Sequence, residues 1–169
     1  MGRLRRLLSQ PRSRRALLLP CAWALLRAHW RVRAWPFSRL AATLGSAQPL
    51  AAAGPQLPPE TGTDPAAQAP VANDLRWAMA GLARAWPGRP TCLILAIAAR
   101  QVLVDRGIAC ELYFGVRGRL GNTEPSAPAI GAHAWLRCAG NVVTGEQEAA
   151  GFEPIAVYRF RPVDRRSPP

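Results

Sequence analysis

An α+β fold is predicted by three observations: an apolar helical run that opens at Cys92, segments of period-two alternation after it, and an arginine-rich helical stretch before it. The chain of 169 residues is long enough for one domain with extensions. Its hydrophobic content of 49% allows a packed core over at least part of that length.

Taken in order, residues 1–44 read as a basic helical N-terminal arm rich in Leu, Trp and Arg, in one or two short helices. Leu18, Cys21, Leu25 and Trp30 form no clean single stripe, and Pro36 is expected to separate two helical pieces. Residues 45–72 carry Pro49, Pro55, Pro58, Pro59, Pro65 and Pro70 among Ala, Gly and Gln and read as a linker. From Asn73 to Trp86 a helix is predicted, capped by Asn73, with Leu75, Met79, Leu82 and Trp86 at helical spacing. Pro87-Gly88-Arg89-Pro90 stops it. The next helix runs from Cys92 to Arg106, capped by Thr91 and ended by Gly107 in a left-handed conformation. Its first two turns are apolar all round, the mark of a central, buried helix.

Ile108 to Val116 alternates Cys110, Leu112, Phe114 and Val116 against Glu111, Tyr113 and Arg117, a half-exposed strand. A loop over about 118–131 leads to strands at Ala132–Cys138 and Val142–Thr144, joined near Gly140-Asn141 as a hairpin. The core is thus set at 73–160, and 161–169 reads as a disordered tail. There is no internal repeat.

All 22 basic residues are arginine, and ten of them lie between Arg3 and Arg39. No Asp or Glu precedes Glu60, so the net charge of +12 resides almost wholly in the arm. Such a segment suits packing on the domain, a membrane surface or a partner. It contains no nucleic-acid reading motif, and charge alone gives only non-specific attraction. Ser13-Arg14-Arg15 followed by Leu17, Leu18 and Leu19 superficially resembles a twin-arginine signal. However, the uncharged run from Ala16 to Leu26 has 11 residues, against about 20 needed to span a bilayer as a helix. Cys21, Cys92, Cys110 and Cys138 include no C-x-x-C pair and no histidine cluster, so neither a metal site nor a cofactor is expected. A cytoplasmic, reducing setting with possible membrane association is the simplest expectation.

Cys92 and His133, in Gly-Ala-His-Ala-Trp, are the one thiol and one imidazole placed where a fold could hold them together. A helix N-terminus stabilises a thiolate by about 0.3–1 kcal/mol, at most about 2. That shifts the protonation equilibrium roughly tenfold, so an activated thiol needs an imidazolium partner as well. His29 lies in the arm, which leaves His133 as the base if Cys92 is a nucleophile. Each residue also has a plainer reading, a small buried cysteine and a structural histidine. A third group should orient the imidazole. With a two-residue turn at Ala139-Gly140, His133 would stand opposite Glu146 and Trp135 opposite Thr144, so Glu146 is the carboxylate candidate. A three-residue loop would reverse the parity and remove this argument.

At these positions the chain resembles a known family. Arg89-Pro90-Thr91-Cys92-Leu93, Asp105-Arg106-Gly107-Ile108, Gly115-Val116-Arg117 and Ala132-His133-Ala134-Trp135 resemble, in this order and spacing, the B2 proteins of lasso-peptide biosynthesis. These are stand-alone leader peptidases with a transglutaminase-like, papain-like core in which a cysteine-bearing helix packs on a small antiparallel sheet. The likeness covers about residues 73–160. It implies a cysteine protease in which Cys92 attacks a peptide carbonyl and His133 shuttles protons through an acyl-enzyme. It also implies three partners: a leader–core precursor peptide, a separate B1-type leader-recognition protein and an ATP-dependent lasso cyclase. The family's third catalytic residue is typically an Asp about where Thr144-Gly145-Glu146 stand, yet no Asp occurs between Asp105 and Asp164. Two other readings stand beside it: a transglutaminase-like factor that binds precursor without cleaving it, and a basic membrane-surface or interaction protein.

Overall fold

The computed structural model of the chain describes residues 10–49, 65–117, 131–145, 149 and 151–162. Helices α1 (Arg12–Ala34) and α2 (Phe37–Ala42) precede strand β1 (Ala47–Pro49), and helices α3 (Pro65–Ala85) and α4 (Cys92–Val104) follow it. Strands β2 (Cys110–Arg117), β3 (Gly131–Cys138), β4 (Asn141–Thr144) and β5 (Glu153–Phe160) complete an antiparallel sheet of order β1-β5-β2-β3-β4. The predicted α+β class is the class observed.

α1 is a single helix of 23 residues that continues through Pro20. Leu17, Cys21, Ala24, Leu25 and Ala28 recur at helical spacing and are buried against α4 and α3. A second set, Leu19, Trp23, Leu26 and Trp30, faces solvent on the other side. Two opposed apolar stripes explain why no clean single one is readable in the sequence. Arg14 Nε donates to Asp74 Oδ1 at 2.8 Å, and its guanidinium lies over Trp77, so α1 is also fastened to α3. Trp35 is extended, as a residue before proline must be, and Pro36 separates α1 from α2. Arg100, buried in α4, donates Nη2–H to the Leu44 carbonyl at 2.9 Å and fixes the end of this segment.

α3 starts at Pro65, eight residues before the helix start expected at Asn73. Pro70 removes one helical hydrogen bond. The surrounding alanines have high helix propensity, and Ala72 is buried, so packing outweighs that loss.

α4 is the centre of the core. Thr91 Oγ1 accepts from the Ile94 N–H at 3.4 Å, the cap predicted for it. Ala96, Ala98, Ala99 and Leu103 are fully buried. Gly107, at φ +65, ends the helix with Ile108 N–H donating to Leu103 O at 2.9 Å.

β2 lies between β5 and β3. Its Cys110, Leu112 and Phe114 face the helices with Ala134, Leu136 and Cys138 of β3. The expectation of a half-exposed strand fails at Tyr113, which is buried on the opposite face in a small second core with Trp135, Val157 and Phe152. The β3–β4 turn is Ala139-Gly140, both left-handed, and it pairs Cys138 with Asn141 and Arg137 with Val142 as a two-residue turn requires. A bulge follows. Leu136 rather than Trp135 stands opposite Thr144, because Val143 is an extra residue in β4. The register that placed Glu146 beside His133 is therefore shifted by one. Glu146 itself lies outside the described residues.

Candidate active site

Of the four cysteines, Cys92 alone is partly exposed; Cys21, Cys110 and Cys138 are buried. Burial pushes the Cys21, Cys110 and Cys138 thiols from an ordinary 9.0 up to about 11, 12 and 11. These three are inert at neutral pH for a physical reason, desolvation of the thiolate. Cys92 occupies the first turn of α4, where unpaired backbone N–H groups point outward and favour negative charge.

Cys92 opens onto a cleft of about 410 Å³ between α3, the start of α4 and the end of β4. Arg76 and Arg84 of α3 border it on one side, Leu95 forms part of the floor, and Thr144 and Gly145 close the other side. Thr144 lines the cleft, and its Oγ1 is buried with no hydrogen-bond partner among the described residues.

His133 is buried, at 4% exposure. Alternation along β3 puts it on the face of Trp135, while Ala134, Leu136 and Cys138 face the helices. Its ring stacks on Trp135 at 5.9 Å and meets Phe152 at 5.0 Å. His133 Nε2 lies 3.1 Å from the Gly145 carbonyl. A carbonyl only accepts, so this contact puts the proton on Nε2, and a neutral ring then carries its lone pair on Nδ1.

The structure thus brings Cys92, Thr144 and Gly145 together around one cleft and joins His133 to that cleft through the Gly145 peptide. It does not turn the imidazole into the cleft: the ring sits on the sheet face away from α4. Gly145 has φ +78, and a Cβ there would stand 2.8 Å from His133 Nε2 and 3.0 Å from Ala134 O. Only glycine fits both the backbone conformation and the close approach.

The pattern that defines the transglutaminase-like superfamily matches residues 16–157, most of the chain. The chain belongs to that superfamily. The match begins inside α1 and ends inside β5, so most of the helical segment ahead of Cys92 falls within it. No curated protein and no solved structure matches the chain significantly. The superfamily includes cysteine peptidases. In this transglutaminase-like chain, sequence reasoning passed over Arg76 and Arg84 and gave Thr144 no place in the cleft, because nothing in a linear pattern shows which residues of α3 and β4 face the start of α4. Gly145 had a readable signal, a glycine closing a short strand two positions past two valines.

Proposed function

We propose that this transglutaminase-like chain is a cysteine peptidase that removes the leader from a ribosomally made precursor peptide during lasso-peptide maturation. The observation that carries this reading is the selective exposure of Cys92 at the N-terminus of a buried helix, on a cleft of about 410 Å³. The motifs around Cys92 and His133 support the narrower assignment.

In this reading substrate binding draws the His133 ring from its resting place on the far face of the sheet to the cleft. The Cys92 thiol gives its proton to the imidazole, and the thiolate sulfur bonds to the scissile carbonyl carbon. The oxyanion forms near the helix N-terminus, whose N–H groups favour negative charge. The C–N bond breaks as the imidazolium protonates the departing amine, which is the new N-terminus of the core peptide. Water, deprotonated by His133, then attacks the thioester and releases the leader as a carboxylic acid with regeneration of the thiol. The net reaction consumes one water per peptide bond. The free amine is the group a macrolactam-forming cyclase requires, and a separate leader-recognition protein would present the substrate.

Where family members typically place a carboxylate, the Gly145 carbonyl takes the imidazole N–H. A backbone carbonyl fixes the tautomer and ring orientation but stabilises the imidazolium less than a charged carboxylate would.

A second reading, a transglutaminase-like factor that binds precursor without cutting it, draws on the position of the His133 ring, on the sheet face away from Cys92. Incubating the protein with precursor peptide and recognition protein separates the two. The peptidase reading expects leader and core fragments by mass spectrometry, lost in Cys92→Ala. Binding of precursor with no cleavage under any partner combination would favour the second reading.

A further inference from the structure

The outer face of α1 takes no part in the cleft or the core. Leu19, Trp23, Leu26 and Trp30 project from it at spacings of four, three and four, a continuous ridge about 16 Å long. Their exposures are 82, 61, 39 and 66%. Two exposed tryptophans and two exposed leucines in one stripe are unusual on a soluble surface. The stripe is also flanked by arginine: Arg27 and Arg31 lie on one side, and the exposed Arg33 on the other. No acidic residue occurs before Glu60, so every charged side chain that α1 itself presents is basic. The opposite face of α1 is buried against α3 and α4, which holds the ridge in a fixed orientation.

We propose that the outer face of α1 docks the protein on an anionic lipid bilayer, with the helix lying in the plane of the surface. The charge pattern favours lipid over a protein groove. An anionic bilayer offers acyl chains for Leu19 and Leu26, a headgroup layer in which indole rings sit favourably, and phosphates for the arginines, all in one plane. A protein partner would need an apolar groove edged by acidic groups on both sides. Among the described residues no helix is long and apolar enough to cross a membrane, so the attachment is peripheral.

The test is sedimentation of the full chain with vesicles of phosphatidylcholine alone and with about one-third phosphatidylglycerol, together with tryptophan quenching by brominated acyl chains. The expected result is binding to the anionic vesicles, quenching of tryptophan emission, and at least tenfold weaker binding to the neutral ones. Trp23→Ser with Trp30→Ser should abolish sedimentation while leaving the circular dichroism spectrum unchanged, since both side chains are exposed. Arg27→Gln and Arg33→Gln should each weaken binding about fivefold at low salt. Failure of the wild-type chain to bind anionic vesicles overturns the proposal, as does equal binding by the tryptophan variant. Self-association that disappears in that variant, with no vesicle binding, would assign the ridge to a protein interface instead.

Discussion

At the scale of single residues, the active-site proposal rests on two relations around one peptide group. Cys92 and Gly145 share the cleft, and the Gly145 carbonyl holds His133. Cys92→Ala should abolish cleavage and leave the melting temperature nearly unchanged, because the residue is partly exposed; retained turnover in a peptide assay would remove Cys92 from the mechanism. Gly145→Ala should lower kcat about a hundredfold, since its methyl group would displace the imidazole and sub-ångström placement matters at this level. A thermal melt on the same variant separates this from unfolding: a left-handed alanine costs about 1–2 kcal/mol, and crowding against the Ala134 carbonyl adds to it, a lowered melting temperature in a chain that still folds. Glu146→Gln, by contrast, should leave kcat within a few fold if the backbone carbonyl is the orienting group; a loss as large as that of His133→Ala would return the role to Glu146. The placement of Cys92 at a helix start and of His133 on a strand was legible in the sequence, because helix starts and period-two strands have strong local signatures. The partner of His133 was not legible, because a single extra residue, Val143, shifts the register and no local pattern announces a bulge.

At the scale of elements, α1 and α4 carry the account. α4 was readable end to end: the Thr91 cap, the all-apolar first turns and the Gly107 stop each have a direct physical cause. Thr91→Ala should destabilise the fold by about 1 kcal/mol in urea titration, the usual value for a lost cap, and would also loosen the turn that carries Cys92. α3 was misjudged at its start because a proline in sequence suggests a break, whereas alanine propensity and burial of Ala72 hold the helix together from Pro65. α1 was partly legible: its helical character was evident, but its two opposed stripes cancel in any one-face analysis. Leu25→Ala tests which stripe holds the core. Leu25 is fully buried, so truncation should cost about 2–5 kcal/mol, whereas Leu19→Ala on the outer face should cost little. Equal small effects would contradict the packing described here.

At the scale of the whole molecule, the family match and the core both include helices on either side of the chain segment 50–64, so residues 12–34 belong structurally to the fold that presents Cys92. Stability should also depend on alkaline pH. Cys21, Cys110 and Cys138 titrate higher in the folded state than the ordinary 9.0, because burial disfavours their thiolates. A group held at a raised value contributes stability that is fully present below its unfolded pKa and is lost as pH rises through its folded one. The window is therefore from about pH 9 to about 11–12, and the urea midpoint at pH 10 should lie below that at pH 7.5. An unchanged midpoint would mean that these thiols are not buried as described. The overall class and the helix that opens at Cys92 could be inferred from sequence; the sheet order, the β5 strand and the arginines at the cleft could not, since each depends on pairing between segments far apart in the chain.

The central claim is that Cys92 is the one activated thiol and that His133 activates it. The most direct measurement is alkylation of the folded chain at neutral pH, with each cysteine quantified by peptide mass spectrometry, in the wild type and in His133→Ala. The account predicts rapid labelling of Cys92, protection of Cys21, Cys110 and Cys138, and labelling of Cys92 slowed at least tenfold in His133→Ala. Labelling of Cys92 at the same rate in both proteins would contradict it.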